Sequence, residues 1–63
     1  MDRVLDLIIQ EIDEKIRGLQ EAVGSGVAKD YAEYQRMCGV IQGLLATRLY
    51  TADLKQTMEH SDE

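Results

Sequence analysis

Three observations predict an all-α fold, an antiparallel two-helix hairpin completed by oligomerisation or by docking on a partner. Apolar residues recur at steps of three and four in two separate stretches, the only strong breaker between them is Gly24-Ser25-Gly26, and the 63 residues include no proline. A chain of this size with no Trp and no Phe has room for one domain and no large core. Two helices that touch only each other cover about one side of each, so a second polypeptide is expected to cover the rest.

The first element is predicted over residues 2–23. Leu5, Ile8, Ile12, Ile16, Leu19 and Val23 fall on one helical face, and Val4, Leu7 and Ile9 widen it near the start, where more than one neighbour could be touched. Asp2 can cap or charge the first turn, and Glu11 with Lys15 and Asp13 with Arg17 are favourable pairs four apart. Gly24 stands where a left-handed C-cap is wanted.

A loop over 24–29 leads to the second helix, predicted over 30–58. Asp30 followed three residues later by Glu33 has the spacing of a capping box. The inward face reads Tyr34, Cys38 with Met37, Ile41, Leu45 with Leu44, Leu49 and Ala52. Because the connection is short, the two helices should be antiparallel neighbours. Thr51-Ala52-Asp53, with Gln56 three after Asp53, can restart a short third helix carrying Leu54 and Met58, or helix two can run on unbroken. Residues 59–63, Glu-His-Ser-Asp-Glu, have no apolar anchor and are expected to fray as an acidic tail.

Gly39 and Gly43 lie four apart in the second helix, and each costs about 1 kcal/mol relative to alanine there. Two readings follow: a small-residue groove, extended by Thr47, where another helix backbone comes close, or glycines tolerated on a solvent face. The spacing is that of a membrane dimer motif, but Arg36, Gln42 and Arg48 exclude a lipid setting. Tyr31, Tyr34 and Tyr50 are candidate contact residues, since tyrosine suits sites wet at one end and apolar at the other; Tyr31 and Tyr34 could equally cover the loop end of the hairpin. Arg36 and Arg48 flank the glycines and serve either an interface or solubility.

No constellation with chemistry stands out, so no catalytic residue, cofactor or metal is assigned. His60 has no second ligand at helical spacing. Cys38 sits among Met37, Val40 and Ile41 with no base beside it, the setting of an inert buried thiol, and one cysteine builds no internal disulfide framework. Glu11, Asp13 and Glu14 form a mixed charge run with Lys15 and Arg17, as on a hydrated helix face. A net charge of −5 argues against a general phosphate-binding surface. Apolar runs such as Leu7-Ile8-Ile9 are far short of the roughly 20 residues of a membrane span, and no charged start precedes an apolar leader core. A reducing cytoplasm is the default compartment.

The run Asp30-Tyr31-Ala32-Glu33-Tyr34-Gln35-Arg36-Met37-Cys38-Gly39-Val40-Ile41-Gln42-Gly43-Leu44, after a helix containing Asp6-Leu7-Ile8-Ile9-Gln10-Glu11, resembles small helical-hairpin proteins encoded by tailed bacteriophages. The resemblance extends over nearly the whole chain. It implies a protein of the virion or its assembly pathway, near the head-to-tail connection, located in the virion or the host cytoplasm and bearing no catalytic residues. Tyr34, Gly39 and Gly43 match its Tyr-x-x-x-x-Gly-x-x-x-Gly pattern, for which helix packing is implied.

The expected function is therefore a non-enzymatic structural or interaction protein that packs on itself or on a larger protein assembly. Its candidate interface comprises Ile8, Ile12, Ile16 and Leu19 on the first helix and Tyr34, Gly39, Ile41, Gly43, Leu45 and Leu49 on the second. Two alternatives are a small phage regulator that inhibits a host protein through its acidic surface, and an RNA-binding hairpin dimer. The last needs Lys15, Arg17, Arg36 and Arg48 clustered across the dimer.

Overall fold

The computed structural model describes residues 2–61, and side chains over 3–60. Two helices, α1 (Asp2–Gly24) and α2 (Tyr31–Ser61), form an all-α hairpin with principal extents of 51 × 15 × 12 Å. At 1.5 Å per residue α1 is about 34 Å long and α2 about 46 Å. The hairpin is one helix thick, which is why so little of it is enclosed.

Helix α1 stops in a Schellman motif. The Val27 N–H donates to the Ala22 carbonyl at 3.2 Å and the Gly26 N–H to the Val23 carbonyl at 3.2 Å, so two carbonyls orphaned by the helix end are satisfied. Gly26, at φ 79°, is the residue in the left-handed region. The left-handed cap expected at Gly24 thus belongs two residues later, and Gly24 is the last helical residue. The Ser25 hydroxyl adds a bond to the Ala22 carbonyl at 3.1 Å.

Helix α2 starts as the capping-box spacing predicts. The Glu33 N–H donates to Asp30 Oδ1 at 2.8 Å, and the Tyr34 N–H closes the first turn on the Asp30 carbonyl at 3.0 Å. The return bond reaches one residue further back than in the standard box, with the Lys29 N–H donating to Glu33 Oε2 at 3.3 Å. From there α2 runs without interruption to Ser61. No break occurs at 51–53: Thr51 folds its hydroxyl back on the Thr47 carbonyl at 2.8 Å and stays helical. Glu59 and His60, expected to fray, continue the helix. The capping role of the Asp2 side chain and the tail residues Asp62 and Glu63 lie outside what is described.

The seam between the helices is regular. On α1, Leu5, Ile9, Ile12, Ile16, Leu19 and Val23 step by four and three, and all are wholly or partly shielded. On α2 the shielded residues are Met37, Ile41, Leu44, Arg48, Thr51 with Ala52, Lys55 and Met58, stepping the same way. Among the described residues only Ile12, Ile16 and Met37 are buried, retaining 8%, 7% and 5% of their exposure.

Two expectations about facing are corrected here. On α1, Ile9 takes the seam position expected of Ile8, which remains 41% exposed. On α2, the inward stripe is turned away from Tyr34, Leu45 and Leu49, which are 41%, 48% and 59% exposed. The stripe through Tyr34 and Leu49 runs out at Ala52, followed by Gln56, whereas the Met37–Met58 stripe continues along the full length of α1. It includes Arg48 and Lys55, whose aliphatic stems can lie on the seam while their charged heads reach its edge.

Candidate interaction surface

Those two charged heads meet carboxylates on α1. Arg48 Nε lies 2.5 Å from Asp13 Oδ1, with Arg48 Nη2 donating to Asp13 Oδ2 at 3.3 Å, and Lys55 Nζ lies 2.6 Å from Asp6 Oδ1. Asp6 and Asp13 are seven residues apart, as are Arg48 and Lys55, so both pairs stand on one flank of the seam two turns apart. The Arg48 side chain retains 42% and the Asp13 side chain 43% of its exposure, so the pair specifies register more than it stabilises the fold. The hydrogen bond from Arg48, helped by its charge and that of Arg17, holds the Asp13 carboxyl below the usual carboxylate range; Asp13 in turn raises Arg48. With Arg48 engaged in this way, the four-cation cluster of an RNA-binding dimer loses one member within a single chain.

The apolar surface left over is of two kinds. On the flank of α1 opposite Asp6 and Asp13, Val4, Leu7, Ile8, Glu11, Ile12 and Lys15 line an open hollow of about 330 Å³. Val4 and Leu7 there are 57% and 52% exposed. On α2, Tyr34, Cys38, Ile41, Leu45, Leu49 and Ala52 form a second stripe, which shares the half-buried Ile41 and Ala52 with the seam and from which every charged residue is absent. Apolar residues gather on one side of α1 but are spread around α2, the pattern of a helix meant to be covered from more than one direction.

The loop end of α2 carries the tyrosines. The Tyr31 and Tyr34 rings stack with centroids 6.1 Å apart at 27°, and Gln35 Nε2 donates to the Tyr31 hydroxyl. Tyr31 and Tyr50 are 72% and 71% exposed, so neither is used to close the hairpin. Cys38 is a free thiol, half-buried one turn after Tyr34, and its hydrogen bond raises the Tyr34 hydroxyl above its ordinary range.

The candidate interface residues therefore divide. Ile12, Ile16, Leu19 and Ile41 are brought together in the seam inside one chain, whereas Ile8, Tyr34, Leu45 and Leu49 face outward. Gly39 and Gly43 also point away from α1, and a Cβ at either would meet nothing within 4 Å. The chain's own helices make no use of the close approach these glycines permit. Sequence reasoning missed Asp6, Asp13, Arg48 and Lys55 as a set, although opposite charges repeating at seven on the two arms of a hairpin are legible without a structure.

Among the described residues no group of three or more His, Cys, Asp or Glu side chains could hold a metal ion. No described helix is long and apolar enough to cross a membrane. Comparison with protein families, with curated proteins and with solved structures gives no match, so the reading of this surface rests on its own residues.

Proposed function

We propose that the chain is a non-enzymatic interaction protein that covers its outward apolar stripes with a second polypeptide inside a larger assembly. One observation carries this reading: among the described residues three hydrophobic side chains are buried while eleven large ones are exposed. Single exposed apolar residues are ordinary, but here Val4, Leu7 and Ile8 gather on one flank of α1 and Tyr34, Leu45 and Leu49 share one stripe of α2, which marks a contact surface. The phage resemblance of the Asp30–Leu44 run supports placing that assembly in a virion or on its assembly pathway, in the host cytoplasm or the particle.

Cross-linking mass spectrometry in the native context, with the composition of purified particles, tests the proposal. The expected result is a fixed copy number in particles and cross-links from Lys15 or Lys55 to a second polypeptide chain. Absence from particles, combined with cross-links only within one chain, would overturn it.

A further inference from the structure

We infer that the occupant of the α2 stripe is a second copy of this chain, packed α2 against α2 in antiparallel orientation about a two-fold axis near position 43. The inference rests on the interaction-protein reading and deepens it by naming the partner of one stripe.

Area is the first argument. A compact monomer of 7.1 kDa exposes about 4,100 Å². This hairpin exposes 4886 Å², an excess of about 800 Å². One partner's share of a standard stable interface is about 800 Å². A single further contact of ordinary size therefore brings the chain to the surface expected of a compact protein.

Size matching along the stripe is the second. With the axis at position 43, Tyr34 meets Ala52 of the second copy, a large side chain against a small one. Ile41 meets Leu45, and Cys38 falls beside Leu49 within one residue of register. The whole set is about 27 Å long at 1.5 Å per residue. A parallel, in-register pair instead sets Tyr34 against Tyr34 and Ala52 against Ala52, crowded at one end and empty at the other.

Charge is the third. The stripe from Tyr34 to Ala52 carries no ionisable acid or base besides the Tyr34 hydroxyl and the Cys38 thiol, so a strongly charged partner finds no anchor on it. An isologous contact needs none, because the same apolar residues are supplied from both sides. Antiparallel α2 helices also place opposite dipole ends side by side.

Sedimentation of the full chain over a concentration series tests the partner, and cysteine pairing tests the orientation. The expected mass rises from 7.1 kDa to twice that value with concentration. Leu45→Asp, at a position 48% exposed in the single hairpin, should hold the mass at 7.1 kDa while helical circular dichroism is retained. For orientation, a Cys38→Ala, Tyr34→Cys chain is mixed with a Cys38→Ala, Ala52→Cys chain under oxidised glutathione. A mixed disulfide several-fold in excess of either self-linked product is expected. Wild-type Cys38 should stay unlinked, because the two thiols lie about 15 Å apart along the pair, beyond the roughly 7 Å reach of a disulfide. Self-linked products dominating, or a ready Cys38–Cys38 disulfide, would overturn the antiparallel arrangement. A mass of 7.1 kDa at every concentration would overturn the second copy as occupant, while the interaction-protein reading would stand or fall on the particle and cross-linking results alone.

Discussion

Replacing Ile16 and Leu49 in turn by alanine separates what holds the hairpin together from what it offers to a partner. Ile16 keeps 7% of its exposure and lies mid-seam, so Ile16→Ala removes about three methylene equivalents of buried surface, or roughly 2.4 kcal/mol at about 0.8 kcal/mol each. The void adds little, because a hairpin one helix thick can close on it, and the expected cost is about 2.5–3 kcal/mol, near the lower end for such truncations. A chain of this length is stabilised by about 3–9 kcal/mol in all, so the change removes a third of that or more. Leu49 is 59% exposed, and Leu49→Ala should cost about 1 kcal/mol in the bare hairpin. Urea unfolding followed by circular dichroism at several chain concentrations reads both. The Ile16→Ala cost per chain should be the same throughout, whereas the Leu49→Ala cost should grow with concentration as a partner buries the side chain. An Ile16→Ala cost below about 1 kcal/mol would refute the seam, and a Leu49→Ala cost that stays flat up to the highest concentration would refute coverage of the stripe.

Other substitutions give sharp expectations. Gly39→Ala and Gly43→Ala should each stabilise α2 by about 1 kcal/mol and leave self-association unchanged, since a Cβ at either meets nothing within 4 Å and both lie off the proposed contact; weakened sedimentation mass would instead restore the glycine groove as the contact. Gly26→Ala, at φ 79°, should lower stability by about 1–2 kcal/mol in thermal melts, with no loss if the Schellman ending is dispensable. Asp13 titrates below its ordinary value of 3.8 because Arg48 holds its charged form. Its contribution is therefore complete above about pH 4 and is lost as pH falls through the lower folded value. Asp13→Asn should flatten the acid limb of a stability–pH curve, and an unchanged limb would show the pair to be inert. Added salt should strengthen dimerisation, because each chain carries −5 and the contact is apolar; weaker association in salt would point to a charged contact.

The fold was largely legible in the sequence because its determinants are local. Helix α1 came from a single-sided apolar period, the turn from Gly24-Ser25-Gly26, and the start of α2 from Asp30 and Glu33, which bond as their spacing implies. The facing of α2 was not legible from periodicity, because two adjacent stripes satisfy the same period: one through Met37, Leu44 and Met58, the other through Tyr34, Leu45 and Leu49. Hydrophobicity ranks the second higher, since the first contains Arg48 and Lys55. What decides between them is non-local, namely Asp13 and Asp6 on the other arm. The cap moved from Gly24 to Gly26 for a local reason: the Schellman bonds from Gly26 and Val27 need one further residue, Ser25, between the last helical residue and the left-handed one.

The two stripes of α2 divide the work of specifying a structure. A wholly apolar seam would let the arms slide by a turn, or let α2 rotate and present either stripe to α1. Placing Arg48 and Lys55 in the inner stripe adds little stability, since both pairs stay partly exposed, but it ties one rotation and one register to Asp13 and Asp6. Tyr34, Leu45 and Leu49 of the uncharged stripe are thereby kept off α1 and left outward, although that stripe is the greasier of the two. Exchanging the charges by combining Asp6→Lys, Asp13→Arg, Arg48→Asp and Lys55→Glu should preserve fold and association, while Arg48→Leu with Lys55→Leu should stabilise the hairpin yet broaden its packing. Crowded, concentration-dependent methyl resonances in the leucine variant would show the loss of uniqueness. A spectrum as sharp as that of the wild type would mean that something other than these ion pairs selects the face of α2.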